Sequence, residues 1–194
     1  MSTPLLPIGL PKAGPKRHQQ LLHKKAKDLA EWRAGSCIPF TVGLSRAFVE
    51  GRAEDLLADY QKGRLYGFVC GSDKAAELAP ALPTVALPFG QCRFAIYGKT
   101  AELPPTGTIR MVTSYPNVAR QWLFYAMPAV FARISIEPRI GGCEAAVANG
   151  WADIAFDIVD TGESVRTHNL TLIQDHCLPV QAVWIGPQAP PTNA

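Results

Sequence analysis

The chain has 194 residues, of which 47% are hydrophobic and 18% are charged, and this balance is typical of a globular protein. Its longest apolar run, residues 122–132, has 11 residues and includes a proline, so the sequence predicts no membrane-spanning helix. The five cysteines are scattered without the spacing of a zinc site or a disulfide framework. The first residues lack the pattern of a secretory signal, so we expect a cytoplasmic protein that binds no membrane.

Positive charge is concentrated at the start of the chain, although the net charge is only +3. Residues 1–35 hold seven Lys and Arg side chains against two acidic ones, and the remainder is slightly acidic. A basic segment of this kind suits an anionic ligand such as a polyphosphate, or it forms a solvated helix face. Aromatic residues do not alternate with the basic ones and no RNA-binding signature occurs, so no nucleic-acid partner is predicted.

Strands and helices are predicted to alternate through the first half of the chain. Leu5–Leu10 is a predicted strand, and the helix after it begins near Pro15 and ends before Gly35, because proline favours the first turn and glycine the position past the end. The further elements predicted in this half are extended segments at Phe40–Leu44 and Ala47–Glu50, a helix within residues 51–63, a strand at Tyr66–Cys70, a helix at Ser72–Leu78, and strands at Thr84–Leu87 and Arg93–Tyr97.

A cluster of glycine and proline, GKTAELPPTG at residues 98–107, predicts a hinge before the second half. The elements predicted after it are strands at Thr108–Thr113, Ile134–Ile136, Asp153–Val159, Leu170–Ile173 and Val180–Ile185, and helices at Cys143–Asn149 and from Pro116 to about Ala132, bent at Pro128. This alternation predicts an α/β fold of two lobes with mainly parallel sheets and a cleft between them. The first lobe is expected to comprise residues 1–100 and 174–194, and the second residues 104–173.

The sequence DIVDTGESVRTHNL, residues 157–170, leads from an apolar strand into a short predicted helix. The first turn of a helix leaves several N–H groups without partners, and its dipole places partial positive charge there. Gly162 allows a ligand to approach the backbone, and Thr161 and Ser164 add hydroxyl groups. The pattern predicts a phosphate site. An ordinary helix cap without a ligand is the alternative.

Seven short stretches carry a further pattern when they are taken in order. They are IGLPKAG (residues 8–14), GRAEDL (51–56), GFVCGSD (67–73), FGQCR (89–93), TSYPNVAR (113–120), GGCE (141–144) and GWADIAFDIVDTGESVRTHNL (150–170). Together they resemble the motifs of the short-form ATP phosphoribosyltransferases, the catalytic subunits of the first enzyme of histidine biosynthesis. The resemblance extends over roughly residues 8–186.

The resemblance implies a fold similar to type II periplasmic binding proteins, with the active site between the lobes. It also implies that N1 of ATP attacks C1 of the ribose in phosphoribosyl pyrophosphate and releases pyrophosphate. Mg²⁺ on the diphosphate is the expected cofactor, with no metal site made by the protein alone. A regulatory subunit similar to histidyl-tRNA synthetase is an expected partner, and the protein is expected to form a homo- or hetero-oligomer.

The resemblance also implies roles for particular residues. The implied catalytic residues are Lys12, Arg52 and Glu144. The residues implied to bind phosphoribosyl pyrophosphate are Asp157, Asp160, Thr161, Gly162, Glu163 and Ser164. Asp73 and Asp153 are implied to bind the nucleotide. The other interpretations are an ion pair for Arg52, a helix cap for Asp73 and a strand-end residue bonded to backbone N–H groups for Asp153. Tyr115, Asn117 and Arg120 are interpreted mainly as structural.

Several positions depart from the family's pattern, chiefly around the acceptor and the diphosphate. The family usually follows Pro-Lys-Gly with an arginine or another tight residue, and here either Lys16 or Arg17 fills that role through a shifted loop or the role is absent. Two alternatives to the ATP-dependent enzyme therefore stay open. One is a phosphoribosyltransferase that acts on a different heteroaromatic nitrogen, and the other is a non-catalytic ligand-binding relative.

Overall fold

The computed structural model describes residues 6–11, 48–87 and 90–187. The predicted helix that ends before Gly35, the predicted segment Phe40–Leu44 and the side chains of Lys12, Lys16 and Arg17 lie outside the described residues. The helices and strands are β1 (Ile8–Pro11), β2 (Phe48–Gly51), α1 (Ala53–Gln61), β3 (Gly67–Gly71), α2 (Ser72–Leu78), β4 (Thr84–Ala86), β5 (Cys92–Gly98), β6 (Ile109–Thr113), α3 (Pro116–Ala126), α4 (Pro128–Phe131), β7 (Ile134–Pro138), α5 (Cys143–Ala148), β8 (Ile154–Val159), α6 (Glu163–Thr167), β9 (Thr171–Val180) and β10 (Ala182–Ile185).

The described residues divide into two compact units, each built on a five-stranded sheet. The first unit holds the described residues up to Cys70, together with residues 82–85 and those from Val183 onward. The second holds residues 71–81 and 86–182. None of the described helices is long and apolar enough to cross a bilayer.

The sheet of the first unit has the strand order β2-β1-β3-β10-β4, with β1 parallel to both β2 and β3. Trp184 on β10 is 2% exposed and fills the space beside Gly67 on β3. A Cβ atom at Gly67 would lie only 2.3 Å from the Trp184 ring, so glycine is required where the indole meets the strand. Close packing in the core of this unit therefore depends on having the smallest residue, Gly67, against the largest, Trp184.

The sheet of the second unit has the order β7-β6-β8-β5-β9 and is covered on both faces. Along β5, alternate side chains enter two different clusters, as the two-residue repeat of a strand requires. Phe94 and Ile96 pack with α3, whereas Ala95 and Tyr97 pack with α5 and Val165. Burial on both faces explains why this strand is apolar at every position from residue 94 to 97.

The alternating elements confirm the predicted α/β fold, and the structure adds the directions of the strands. Strand β6 is parallel to β7 and β8, as expected, but β5 is antiparallel to both β8 and β9. The predicted helix with a bend at Pro128 is two helices, α3 and α4, that meet at Met127. Proline has no N–H group to continue the hydrogen bonding of α3, so the helix ends before it.

The division into units differs from the expected lobes. Residues 98–107 join β5 to β6 within one sheet, whereas a hinge was expected there. Arg93 pairs with Val159 on one side and with Pro179 on the other, so β5 and β9 belong to the second unit. The chain instead leaves the first unit after Cys70 and returns to it finally at Val183.

A buried carboxylate caps the start of α3. Glu77 on α2 is 9% exposed, and its oxygens accept hydrogen bonds from the N–H groups of Asn117, at 3.0 and 3.1 Å, and Val118, at 2.9 Å. The residue before the helix, Tyr115, makes no side-chain cap, so Glu77 supplies both the acceptor and the negative charge that this helix end favours.

We expect Glu77→Ala to lower the free energy of unfolding by about 3 kcal/mol, because it leaves amide donors of α3 without an acceptor. Glu77→Gln should cost less, since one carbonyl oxygen remains. Urea denaturation followed by circular dichroism measures both, with the exposed Glu102→Ala as the control. An unchanged denaturation midpoint for Glu77→Ala would mean that water replaces the carboxylate without loss.

Candidate functional site

The predicted phosphate loop lies at the carboxyl end of β8, beside the end of β6. These strands are parallel neighbours, with Met111 opposite Ile154 and Val112 opposite Ala155. Ser114 follows β6 directly, and Asp157 lies on β8 shortly before that strand ends at Val159. In open α/β sheets this edge is where ligands bind.

Asp157 is a half-buried carboxyl that interacts with three neighbouring groups. The N–H of Ile158 donates to its Oδ1 at 2.9 Å, the Ser114 hydroxyl lies 3.5 Å from its Oδ2, and the Cys143 thiol donates a hydrogen bond to it. Burial raises the pKa of Asp157, and the nearby Glu144 raises it further, while these hydrogen bonds offset part of the effect. Burial also raises the pKa of the Cys143 thiol to about 12, so the thiol stays protonated.

Ser114 links Asp157 to the turn that precedes α5. Its hydroxyl donates to the carbonyl of Arg139 at 2.9 Å and accepts from the N–H of Gly141 at 3.3 Å. The turn passes through Gly142, which has a φ of +66° and stands just before the helix that carries Glu144. The structure therefore brings the predicted residues Glu144 and Asp157 into electrostatic reach of each other.

The loop from Asp160 to Ser164 is exposed except at Gly162, which is half-buried and has a φ of +73°. The Thr161 hydroxyl accepts from the N–H of Glu163 at 3.3 Å, so this side chain also shapes the turn. Within the part of the chain that the structure describes, no hydrogen bond uses the N–H groups of Thr161, Gly162 or Ser164. The buried Val165 anchors the loop to the sheet. The loop thus has the donors that a phosphate needs.

Two further side chains belong to this region, although sequence reasoning gave them no role in binding. The guanidinium of Arg93, at the start of β5, donates to the carbonyl of Asp160 at 2.8 Å. The hydroxyl of Tyr115 hydrogen-bonds Asp73, and burial, followed by the charges of Asp73 and Asp157, raises its pKa. Tyr115 is therefore bonded to Asp73, the predicted nucleotide residue, and lies within electrostatic reach of Asp157. Arg93 lies in the motif FGQCR and Tyr115 in TSYPNVAR, and these resemblances were the only indication in the sequence that either residue belongs to the site.

The structure does not place Asp153 with these residues. It precedes β8, at the opposite end of the strand from the loop, and both its oxygens bind Arg110, with an Oδ1–Nη2 distance of 2.8 Å. The hydrogen bond from the Arg110 side chain lowers the pKa of Asp153. Its Oδ2 also accepts from the backbone N–H of Arg110 at 2.8 Å, so the contacts of Asp153 fit the alternative interpretation, a structural residue at the start of the strand. Its nucleotide role stays a prediction.

The two other predicted catalytic residues, Lys12 and Arg52, belong to the first part of the chain. Arg52 is exposed and directly precedes α1 in the first unit, where its carbonyl accepts from the N–H of Leu56. Lys12 lies outside the described residues. Among the residues that the structure does describe, no group of three His, Cys, Asp or Glu side chains is arranged to hold a metal ion.

Comparison with known proteins identifies the family. A family model described as ATP phosphoribosyltransferase matches residues 52–193. The ATP phosphoribosyltransferase of Alkaliphilus metalliredigens is 31% identical over 126 residues, which cover 64% of this chain and 58% of the relative. That of Nostoc punctiforme is 30% identical over 141 residues, covering 69% of this chain and 63% of the relative. The chain thus matches less than two thirds of the length of these relatives.

Solved structures with the same fold support the comparison. A chain of the ATP phosphoribosyl transferase (HisG:HisZ) complex from Thermotoga maritima superposes with a TM-score of 0.70 at 21% identity, covering 95% of this chain and 88% of that one. A histidine kinase sensor domain with similarity to periplasmic binding proteins gives a TM-score of 0.57 at 13% identity, covering 95% and 82%. The expected two-lobed fold similar to periplasmic binding proteins is confirmed. Because the family model covers well over half of the sequence, the chain belongs to the ATP phosphoribosyltransferase family.

Proposed function

We propose that the protein transfers the phosphoribosyl group of phosphoribosyl pyrophosphate to N1 of ATP, giving phosphoribosyl-ATP and pyrophosphate, the first step of histidine biosynthesis. The observation that carries this proposal is the exposed loop Asp160–Ser164, in which no described group accepts from the N–H groups of Thr161, Gly162 and Ser164. The loop follows the strand that carries Asp157, and Glu144 lies within electrostatic reach of Asp157. N–H donors can bind the phosphate of a sugar phosphate, and carboxyl groups in the same region can accept hydrogen bonds from its hydroxyl groups. Membership of the family supports the same activity.

The proposed mechanism needs the protein to align the reactants and to stabilise charge. The loop N–H groups would bind the 5-phosphate, and Asp157 and Asp160 would accept hydrogen bonds from the ribose hydroxyls, with Glu144 helping to orient the sugar. C1 of the ribose becomes cationic as pyrophosphate leaves, so nearby carboxylates stabilise the transition state. N1 of adenine already has a lone pair, and no side chain has to remove a proton from it.

Magnesium is proposed to enter with the diphosphate of the substrate. Mg²⁺ is commonly held by substrate phosphates with one or two carboxylates and several waters. The described residues fit this mode better than a site made by the protein alone, because they contain carboxylates near the loop but no group of three ligands. When bound, the ion would neutralise charge on the departing pyrophosphate. Lys12 and Arg52 are proposed as further cations for the same group.

The nucleotide is proposed to bind near Asp73 and Tyr115. The Tyr115 hydroxyl holds the Asp73 carboxyl, and the Lys74 ammonium lies 4.9 Å from the centre of the Tyr115 ring. Asp73 can therefore present a fixed acceptor to a ribose hydroxyl or to the amino group of adenine.

A regulatory subunit is proposed as a partner. The Thermotoga maritima relative was solved as a HisG:HisZ complex, and its fold matches nearly all of this chain. We therefore propose a hetero-oligomer with a subunit similar to histidyl-tRNA synthetase. Size-exclusion chromatography of the two proteins expressed together, compared with each alone, tests this. Separate elution at micromolar concentration would contradict it.

The activity is tested by incubating the protein with ATP, phosphoribosyl pyrophosphate and Mg²⁺, with and without the regulatory subunit, and detecting products by mass spectrometry. The expected product is phosphoribosyl-ATP. A parallel panel of purines and azoles in place of ATP detects the alternative acceptor. Binding of phosphoribosyl pyrophosphate without any product, for every acceptor and with the partner present, would indicate the non-catalytic relative.

A further inference from the structure

Arg93 holds the backbone at the beginning of the phosphate loop. It enters from β5, where it lies opposite Val159, the last residue of β8. Its Nη1 donates to the carbonyl of Asp160 at 2.8 Å and lies 3.4 Å from the carbonyl of Val159. These two carbonyls belong to the residues at which the chain leaves the strand and enters the loop.

Asp175 on β9 holds the rest of the guanidinium. Its Oδ1 accepts from Nε of Arg93, and its Oδ2 accepts from Nη2 at 2.9 Å. This two-point contact fixes the plane of the guanidinium and so directs Nη1 at Asp160. Only about a fifth of the Arg93 side chain is exposed, with a relative accessibility of 19%. Asp175, Arg93 and the Asp160 carbonyl therefore form a continuous chain of contacts from β9 to the loop.

The orientation of one peptide group follows from this contact. In a trans peptide the C=O and the next N–H point in opposite directions. The Asp160 carbonyl points towards Arg93, so the N–H of Thr161 points away from Arg93. That N–H is the first of the loop donors that no described group accepts.

We propose that Arg93 and Asp175 are positioning residues that set the orientation of the Asp160–Thr161 peptide and thereby the affinity for phosphoribosyl pyrophosphate. The inference rests on the proposed function, because it assigns these residues to the phosphate loop of the same site. Neither side chain is required to touch the substrate. Their effect should therefore appear in the binding of this substrate and much less in the rate at which bound substrate reacts.

The same sheet contains a matched pair at the other end of β8. Arg110 binds Asp153 with two nitrogens and also donates to the carbonyls of Trp151 and Gly150, at 3.0 and 3.2 Å. Both arginines thus combine a two-point carboxylate contact with bonds to backbone carbonyls. Only the Arg93 pair is next to the phosphate loop. Arg110→Ala is therefore the control for a purely structural loss.

The experiment measures the Kd of phosphoribosyl pyrophosphate by calorimetry and the KM and kcat of the full protein with its partner. Arg93→Ala should raise Kd and KM for this substrate about 10- to 100-fold, while kcat changes less than about threefold. Arg93→Lys and Asp175→Asn should give intermediate losses, because each keeps part of the contact. Arg110→Ala should stay within about twofold of the wild type, and the KM for ATP should not change in any variant.

The outcomes separate this inference from the proposed function. If the wild type binds phosphoribosyl pyrophosphate but Arg93→Ala and Arg93→Lys bind it as Arg110→Ala does, the inference is overturned and the function stands. If kcat falls with no change in KM, Arg93 is not a positioning residue. If the wild type does not bind the compound, both are overturned. Should Arg93→Ala fail to fold, Arg93→Lys and Asp175→Asn decide the matter.

Discussion

Asp157→Asn is expected to reduce kcat/KM by at least about 100-fold while making the protein more stable at neutral pH. The activity falls because an amide has one acceptor oxygen where a carboxylate has two, and it has no negative charge to stabilise a cationic sugar. Stability rises because burial, reinforced by Glu144, raises the pKa of Asp157 above its ordinary value of 3.8. The folded protein therefore holds a proton there more tightly than the unfolded chain does.

The sign of the pH dependence follows from that difference. Below the ordinary pKa both states are protonated, and Asp157 causes no penalty. As the pH rises through the raised pKa of the folded state, the buried carboxyl loses its proton and the free energy of unfolding falls. The advantage of Asp157→Asn should be present at neutral pH and vanish below about pH 4.

Thermal unfolding of the two proteins at a series of pH values measures this effect. Asp160→Asn is the matched control, because Asp160 is exposed and its replacement should lower activity without stabilising the fold. A lower melting temperature for Asp157→Asn at pH 7 would show that its hydrogen bonds outweigh the cost of burial. Full activity of the variant would remove Asp157 from the proposed mechanism.

Gly162→Val is expected to weaken the binding of phosphoribosyl pyrophosphate more than 100-fold. The φ of +73° costs an ordinary residue about 1–2 kcal/mol and costs a β-branched residue more. A Cβ atom would also lie 3.3 Å from Nη1 of Arg166. We expect the loop to relieve the strained φ and the close contact with Arg166 by adopting another backbone conformation. That change would move the N–H groups of Thr161 and Ser164 away from a bound phosphate.

Gly107→Val supplies the control for this change. Gly107 has a φ of +76°, and a Cβ atom there would meet nothing within 4 Å, in a connection between β5 and β6. The two variants share the backbone strain, but only Gly162→Val alters the loop. Calorimetry and steady-state kinetics compare them. Equal affinity for phosphoribosyl pyrophosphate in both variants would show that the loop does not hold the phosphate.

The local elements were predictable from sequence, because their signals are local. The run from Ile154 to Val159 followed by Thr-Gly-x-Ser predicted both β8 and the start of α6. The unit to which β5 belongs was not predictable in this way. Its apolar residues predict a strand, but its partners are Val159 and Pro179, more than 60 residues away along the chain. Pairing at that distance leaves no periodic pattern near β5.

The sequence allowed the acidic residues of the candidate site to be predicted, but not the hydrogen bonds that hold the site together. Asp157 and Glu144 stand out as acidic residues at a strand end and a helix start. The atoms that Arg93 and Ser114 bind include the carbonyls of Asp160 and Arg139. Every residue has a carbonyl, so such a partner has no sequence signal. Asp153 shows the converse, because its acidic side chain suggested a ligand but is bound by Arg110, 43 residues away.

A crystal structure of the protein with phosphoribosyl pyrophosphate and Mg²⁺ tests the central claim most directly. We expect the 5-phosphate oxygens at about 2.7–3.2 Å from the N–H groups of the loop Asp160–Ser164, with the ribose hydroxyls facing Asp157. Binding of the compound elsewhere, with water alone at these N–H groups, would contradict the account.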